Sequence, residues 1–350
     1  MFMMSHKKIS DFVRNNRVYM LMLVFILLVQ VLSVYLPVEI DELTTAEIMD
    51  PLDQESVEDV LQIHPILKRA LHGAIFLFAF ILVLGSILLI IFLVLELSGK
   101  KTIPSFSSHE TPLWNLTEVF RILLVYLFFG YILGLTEGFF ASGLDKEVLA
   151  EKGWVQGLNA LILDIGIVIY TFFRITKIFG QSLGAIGIKA HKKFKAILWG
   201  LLSYIGFVPV MFSGIIISFF LMRLLGRTIQ PHPLIPMMMA EQSAIVILFL
   251  VLLACVIGPI CEEIIFRGLM YPAVRQKYGV FASIVIIGLI FSLIHANLYA
   301  FLPIFLLGCL LTFLYERTGS LTASISVHII HNSSMMALFG FYKHIYGLTQ

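Results

Sequence analysis

Three short motifs near the carboxyl terminus combine residue types that could hydrolyse an amide bond. They are "EEIIFR" (Glu262, Glu263, Arg267), "FSLIH" (Phe291, His295) and "HIIHN" (His328, His331, Asn332), in that order within about seventy residues. Glu263 and Arg267 are four residues apart, so on a helix they share a face and can pair. Glu262 points about 100° away and needs a different partner. His328 and Asn332 repeat the four-residue spacing, which presents an imidazole and a carboxamide in one stripe, and Phe291 stands one turn before His295. A glutamate in a low-dielectric pocket can serve as general base. A nearby histidine can share the deprotonation of a water, while a histidine and an asparagine amide can donate to a developing oxyanion. No Ser or Cys is clearly paired with a base, so the expected nucleophile is water. Glu262, His295 and His328 are also a candidate zinc set, although there is no H-E-x-x-H and the ligands would come from three helices. On the residues alone, metal-activated and Glu/His-activated water both stay open.

Taken singly, each feature has an ordinary structural use. Glu263–Arg267 reads as an ion pair, His295 as a satisfied core histidine, and His331 as helix-end packing. Asp164, an acid inside the apolar run "LILDIGIVIY", reads as structural, and Glu118, Arg121 and Glu137 fall near the ends of apolar runs. The ordered combination is what points to a site. The three cysteines, Cys255, Cys261 and Cys309, lie inside apolar runs and form neither a disulfide framework nor a metal-binding cluster.

The elements that must position these groups follow from composition. The chain has 350 residues, 59% of them hydrophobic and 13% charged, with a mean hydropathy of +0.96. Water-soluble domains carry roughly 25% charge, so an all-α polytopic membrane protein is expected. A net charge of +2 and the lack of a basic-aromatic patch give no nucleic-acid partner; the bilayer itself is the expected environment. Nine spans are predicted, near residues 18–38, 70–97, 118–140, 155–174, 196–222, 242–264, 280–296, 299–315 and 321–341. The first reads as a retained signal-anchor helix. Lys and Arg cluster in alternate loops, which predicts a cytoplasmic amino terminus, an outside carboxyl terminus and an outside acidic segment, Glu39–Asp59, within the loop 39–69. Residues 1–150 read as amino-terminal transmembrane helices and 151–350 as the unit holding the site.

Depth poses a geometric problem. If a straight span ends at Glu262, the glutamates sit at one membrane face and His295 toward the other. The conflict eases if about Ala240 to Tyr278 is one long helix, tilted or kinked at Gly258–Pro259, with Glu262 near its middle.

The ordered motifs resemble those of the CPBP family of intramembrane proteases, also called the Abi or CAAX-protease and bacteriocin-processing family. The resemblance extends over roughly Ile178 to Leu338 and includes "SLGAIGIK". It implies an all-helical bundle with an intramembrane catalytic cavity in a bacterial-type cell membrane. The implied activity is cleavage of a peptide or membrane-anchored protein substrate, typified by type II CAAX prenyl endopeptidases. By the same resemblance Glu262 and His295 activate the water, His328 and Asn332 stabilise the oxyanion, and Glu263 and Arg267 support Glu262. It carries both a metalloprotease and a metal-free glutamate account of the water's activation. The competing reading is a non-catalytic membrane protein (immunity factor, scaffold or transporter) using the same cluster for binding. Transport is the weaker of these, since no inverted repeat or matched pair of broken helices is apparent.

Overall fold

The computed structural model describes residues 16–35, 60, 62–100, 103–104, 110–141, 153–188, 193–227 and 234–349; the acidic segment Glu39–Asp59 lies outside them. The described residues form helices and turns with no strand. In chain order the helices are α1 (Arg17–Tyr35), α2 (Pro65–Leu97), α3 (Leu116–Ala141), α4 (Gly153–Phe173), α5 (Lys193–Leu224) and α6 (Leu234–Ala240). They continue with α7 (Ala244–Ile294), α8 (Phe301–Thr318) and α9 (Leu321–Thr349). α2 begins at a proline in its first turn, where no intrahelical N–H is needed, and so reaches back into the loop 39–69. Among the described residues, six helices are long and apolar enough to cross a membrane: α2 to α5, α7 and α8. The chain is a polytopic helical membrane protein. The predicted spans map onto its helices, with the sixth and seventh becoming the two limbs of α7. The short α6 was not among the predicted spans.

α7 carries the first two motifs, and its irregularities follow from three residues. Pro259 has no N–H and crowds the carbonyl one turn back. The preceding turn accordingly widens into a π-helical stretch, Leu253–Ile257, in which the Gly258 N–H donates to the Leu253 carbonyl five residues back. A second π-helical stretch, Ile264–Met270, follows the α-helical Gly258–Glu263. The helix then continues to Gly279, whose backbone (φ 75°, ψ 178°) is non-helical and lies in a region open essentially to glycine alone. The expected long helix is therefore present, with π turns beside Gly258–Pro259 and a reversal at Gly279.

That reversal removes the depth conflict. Glu262 precedes Gly279 by 17 residues and His295 follows it by 16, so at about 1.5 Å per residue both stand about 25 Å from the turn. The limbs pack against each other: the Phe266 and Phe291 rings are 5.1 Å apart, edge to face. A Cβ at Gly279 would meet nothing within 4 Å, so Gly279→Ala should cost only backbone strain, about 1–3 kcal/mol. The expected outcome is a lower melting temperature in detergent; an unchanged one would show that the turn does not depend on glycine.

The other helices enclose the first limb. α3 and α4 run antiparallel and are pinned at both ends. At one end Glu118 pairs with Arg174, at the start of a π turn (Arg174–Ile178) that continues α4, and with Arg121 at 3.2 Å. At the other, Asn159 donates to Glu137 at 2.9 Å. Arg121 also donates to Asn16 at 2.9 Å, tying in α1. α8 approaches the second limb of α7 at two glycines: a Cβ on Gly288 would lie 2.7 Å from Cys309 Sγ, and one on Gly308 3.0 Å from Gly288 Cα. That close crossing exposes the Gly308 carbonyl to the first limb.

Candidate active site

The site is built around a guanidinium that the sequence buries completely. Arg267 and Glu263 both have 0% exposure, and Nη1 donates to Glu263 Oε1 at 2.7 Å. The four-residue spacing holds although the turn between them is π-helical. Arg267 uses the rest of its fork on α8, Nη2 to the Gly308 carbonyl at 3.0 Å and Nε to Thr312 Oγ1 at 3.3 Å. Its face stacks on Phe291, 4.7 Å from the ring centroid. A buried charge needs such full pairing, and the planar fork of arginine supplies it where lysine cannot.

His328, buried on α9, stands on this pair. Its Nδ1 is 3.0 Å from Glu263 Oε1. A carboxylate already accepting from Arg267 can only accept, so Nδ1 carries the proton and Nε2 of the neutral ring presents a lone pair. Nε2 is 3.8 Å from Glu262 Oε2. That is too long for a hydrogen bond, and it is a separation at which one water about 2.8 Å from each atom bridges both. Glu262 Oε2 is buried and, among the described residues, no protein group hydrogen-bonds it. The Glu262 side chain as a whole is one-third exposed.

The remaining predicted residues occupy the periphery of this pair. His295 Nδ1 donates to the Phe291 carbonyl at 2.6 Å, which leaves Nε2 as its acceptor. Its ring packs on Phe291 at 4.9 Å, and Phe291 lies 5.7 Å from the His328 ring. One phenylalanine thus separates the two imidazoles. Asn332 Nδ2 donates to the Ala254 carbonyl at 2.9 Å. That carbonyl is orphaned by the proline, because Gly258 N–H bonds Leu253 instead and Pro259 has none to give. One amide hydrogen of Asn332 therefore remains for another acceptor. His331 Nδ1 meets the Tyr204 hydroxyl of α5 at 3.0 Å, away from Glu262.

Asp164 of α4 and Tyr126 of α3 stand on helices that pack around the first limb of α7. Asp164 begins the stripe Asp164, Ile167, Val168, Thr171, Ile175, whose last four members are buried. A stripe does not name the helix it faces. Cys261 and Cys255 are buried free thiols. Among the described residues no three His, Cys, Asp or Glu side chains are close enough to hold one metal ion. Glu262, His295 and His328 do not form such a group, although each histidine, with Nδ1 engaged within the protein, keeps Nε2 as its open nitrogen.

Comparison with known proteins agrees with the motifs. Residues 244–334, α7 to the first half of α9, match the Rce1-like family of type II CAAX prenyl endopeptidases. The "SLGAIGIK" segment lies outside that match. The chain is 32% identical over 89 residues to "Putative membrane peptidase YdiL" of Bacillus subtilis (strain 168), covering 25% of this chain and 36% of that protein. It is 29% identical over 153 residues to "Membrane-embedded CAAX protease MroQ" of Staphylococcus aureus (strain USA300), covering 41% of this chain and 58% of that one. The chain thus spans between a third and three-fifths of the length of these relatives. No solved structure matches. The ordered motifs and these matches together support a protein of the CPBP type.

Proposed function

We propose that this protein is an intramembrane endopeptidase that hydrolyses a peptide bond of a membrane-associated protein or peptide substrate. The observation that carries the reading is the 3.8 Å approach of His328 Nε2 to Glu262 Oε2, with the other ring nitrogen anchored on the buried Glu263–Arg267 pair. A water between the two acceptors loses its proton as oxygen attacks the scissile carbonyl carbon. The proton goes to Nε2 or to Glu262. A protonated His328 is stabilised by Glu263 through Nδ1–H, and its Nε2–H is then a donor for the oxyanion or the leaving nitrogen. Before that transfer, the free amide hydrogen of Asn332 is the standing donor for the oxyanion. His295 Nε2, at the same distance from the Gly279 turn, is a second acceptor for the water or its proton. Compared with the roles implied by resemblance, His328 shifts from oxyanion donor alone to proton acceptor first.

The test is cleavage of a peptide library by the purified protein in detergent, with and without a chelator, beside the Glu262→Gln variant. Cleavage that this variant abolishes supports the reading, and equal cleavage by both sinks it. Loss of activity in chelator that a divalent ion restores would replace the metal-free account.

Residues 151–350 are read as the catalytic unit and 1–150 as accessory helices that gate it or bind a partner. The amino terminus is read as cytoplasmic and the carboxyl terminus as outside, supported by the basic loops. Labelling of cysteines introduced near each end in intact cells with an impermeant reagent tests this; reaction near the amino terminus overturns it.

A further inference from the structure

We propose that the connection between the second limb of α7 and α8, residues 295–300, binds the main chain of an extended substrate segment and so sets which peptide bond reaches Glu262. This deepens the hydrolytic reading and rests on it. The connection begins at His295, a site residue whose ring packs on Phe291 at 4.9 Å. It also lies level with Glu262, since His295 and Glu262 both stand about 25 Å from the reversal at Gly279. The neighbouring helices run on past that level. The first limb of α7 carries no charged residue from Cys261 back to Ala244, about 27 Å of helix. α5 meets Leu302 and Leu306 of α8 at Gly214 and then carries no charge before Arg223. The connection therefore lies within the apolar layer, where irregular backbone is tolerated only against protein or a polar space.

Part of its backbone is satisfied from within. The His295 and Ala296 N–H groups donate to the Ser292 and Leu293 carbonyls at 3.2 and 3.1 Å. The Ala300 N–H donates to Asn297 Oδ1 at 2.9 Å, and Ser292 Oγ donates to the Phe301 carbonyl. The rest is not. Among the described residues the Leu298 and Tyr299 N–H groups have no acceptor, and the Tyr299 carbonyl has no donor. Pro303, one turn on, has no N–H to give it. Ala296 is exposed and Leu298 is 62% exposed, so packing does not close the connection off. Ala296 adds a further sign: its φ of 48° is the one positive value outside glycine among the described residues. Such strain persists where the surrounding structure holds it, commonly at functional sites, and here it ends the helix directly after His295.

Hydrocarbon gives these groups no partner. An extended polypeptide does, because each of its residues carries a donor and an acceptor, whereas a helix has already used its own. Leu298 and Tyr299 follow His295 by three and four residues, at most about 14 Å of chain. Substrate residues bonded to them therefore stand within about four of the scissile bond. Recognition through the main chain tolerates varied side chains and demands a non-helical segment, so the substrate class is an extended tail or an unwound helix end.

The experiment uses the full-length protein in detergent and a peptide that the wild type cleaves, resynthesised with one amide at a time changed to an ester and the scissile amide kept. An ester lacks the N–H and has a weaker carbonyl acceptor. One or two positions within about four residues of the scissile bond, on one side of it, should each raise KM by about 3- to 10-fold with kcat within about twofold, the size of a lost hydrogen bond. Leu298→Pro, which removes that N–H, should raise KM for the all-amide peptide by a similar factor. It should add little with the sensitive ester, as for two changes at one contact. A flat ester scan, an effect spread evenly along the peptide, or additive effects of Leu298→Pro and the ester each overturns the proposal. The ester scan needs no altered protein, so it decides even where Leu298→Pro does not fold. If the peptide is cleaved and the scan is flat, this inference fails alone. If no peptide is cleaved, the hydrolytic reading fails, and binding of labelled library peptides read by fluorescence anisotropy decides. Binding that particular esters weaken keeps the main-chain site; binding indifferent to them, or none, removes it.

Discussion

Replacing Glu262 with glutamine is expected to abolish peptide cleavage, by about 100- to 10,000-fold in kcat, the range in which a positioned general base contributes. Glutamine keeps the length and nearly the volume, but it cannot take a proton. Its effect on folding should be small, because Glu262 makes no hydrogen bond to any described residue through its buried Oε2 and its side chain is one-third exposed. The measurement is single-turnover cleavage of the library-derived peptide beside a melting curve. Equal melting with lost cleavage separates chemistry from folding. His328→Gln should lose activity comparably and also lower stability, because it strips Nδ1–H from buried Glu263. Residues that act as a unit are not additive, so the double variant should be no slower than the worse single one.

Much of this arrangement was legible in the chain because helical spacing survives local irregularity. Glu263 and Arg267 meet at 2.7 Å across a turn that is π-helical and not α-helical. His328 and Asn332, one turn apart, both face the first limb of α7, and Phe291 and His295 touch as their spacing implied. The prediction that Glu262 points away from Glu263 also holds, since His328 touches the two through different ring nitrogens. What was hidden has physical reasons. Pro259 announces an irregularity but not that it frees the Ala254 carbonyl for Asn332. Arg267's other partners, Gly308 and Thr312, depend on a glycine-on-glycine crossing of α7 and α8. The position of Asp164 in a stripe says that it is covered without saying by what. The acidic segment Glu39–Asp59 lies outside the described residues, so its expected placement stands as read from charge.

Arg267→Ala is expected to be the most destabilising substitution in the site, and a compensating pair of changes shows why. Removing the guanidinium leaves the Glu263 carboxylate fully buried with His328 as its remaining partner, and it opens the Gly308 carbonyl and Thr312 hydroxyl. Breaking one side of a buried ion pair costs about 3–5 kcal/mol, enough to unfold a marginal domain. Arg267→Lys keeps a charge but not the fork, so it should recover only part of the stability. Glu263→Leu combined with Arg267→Met should regain most of it, since apolar replacement of a whole buried pair is often neutral. Activity should not return with it. Glu263 also holds the His328 Nδ1 proton, and without that acceptor nothing in the pair orients Nε2 toward Glu262. A double variant that melts like the wild type and cleaves nothing would assign the pair to the histidine as well as to the fold. One that both folds and cleaves would reduce Glu263 and Arg267 to packing.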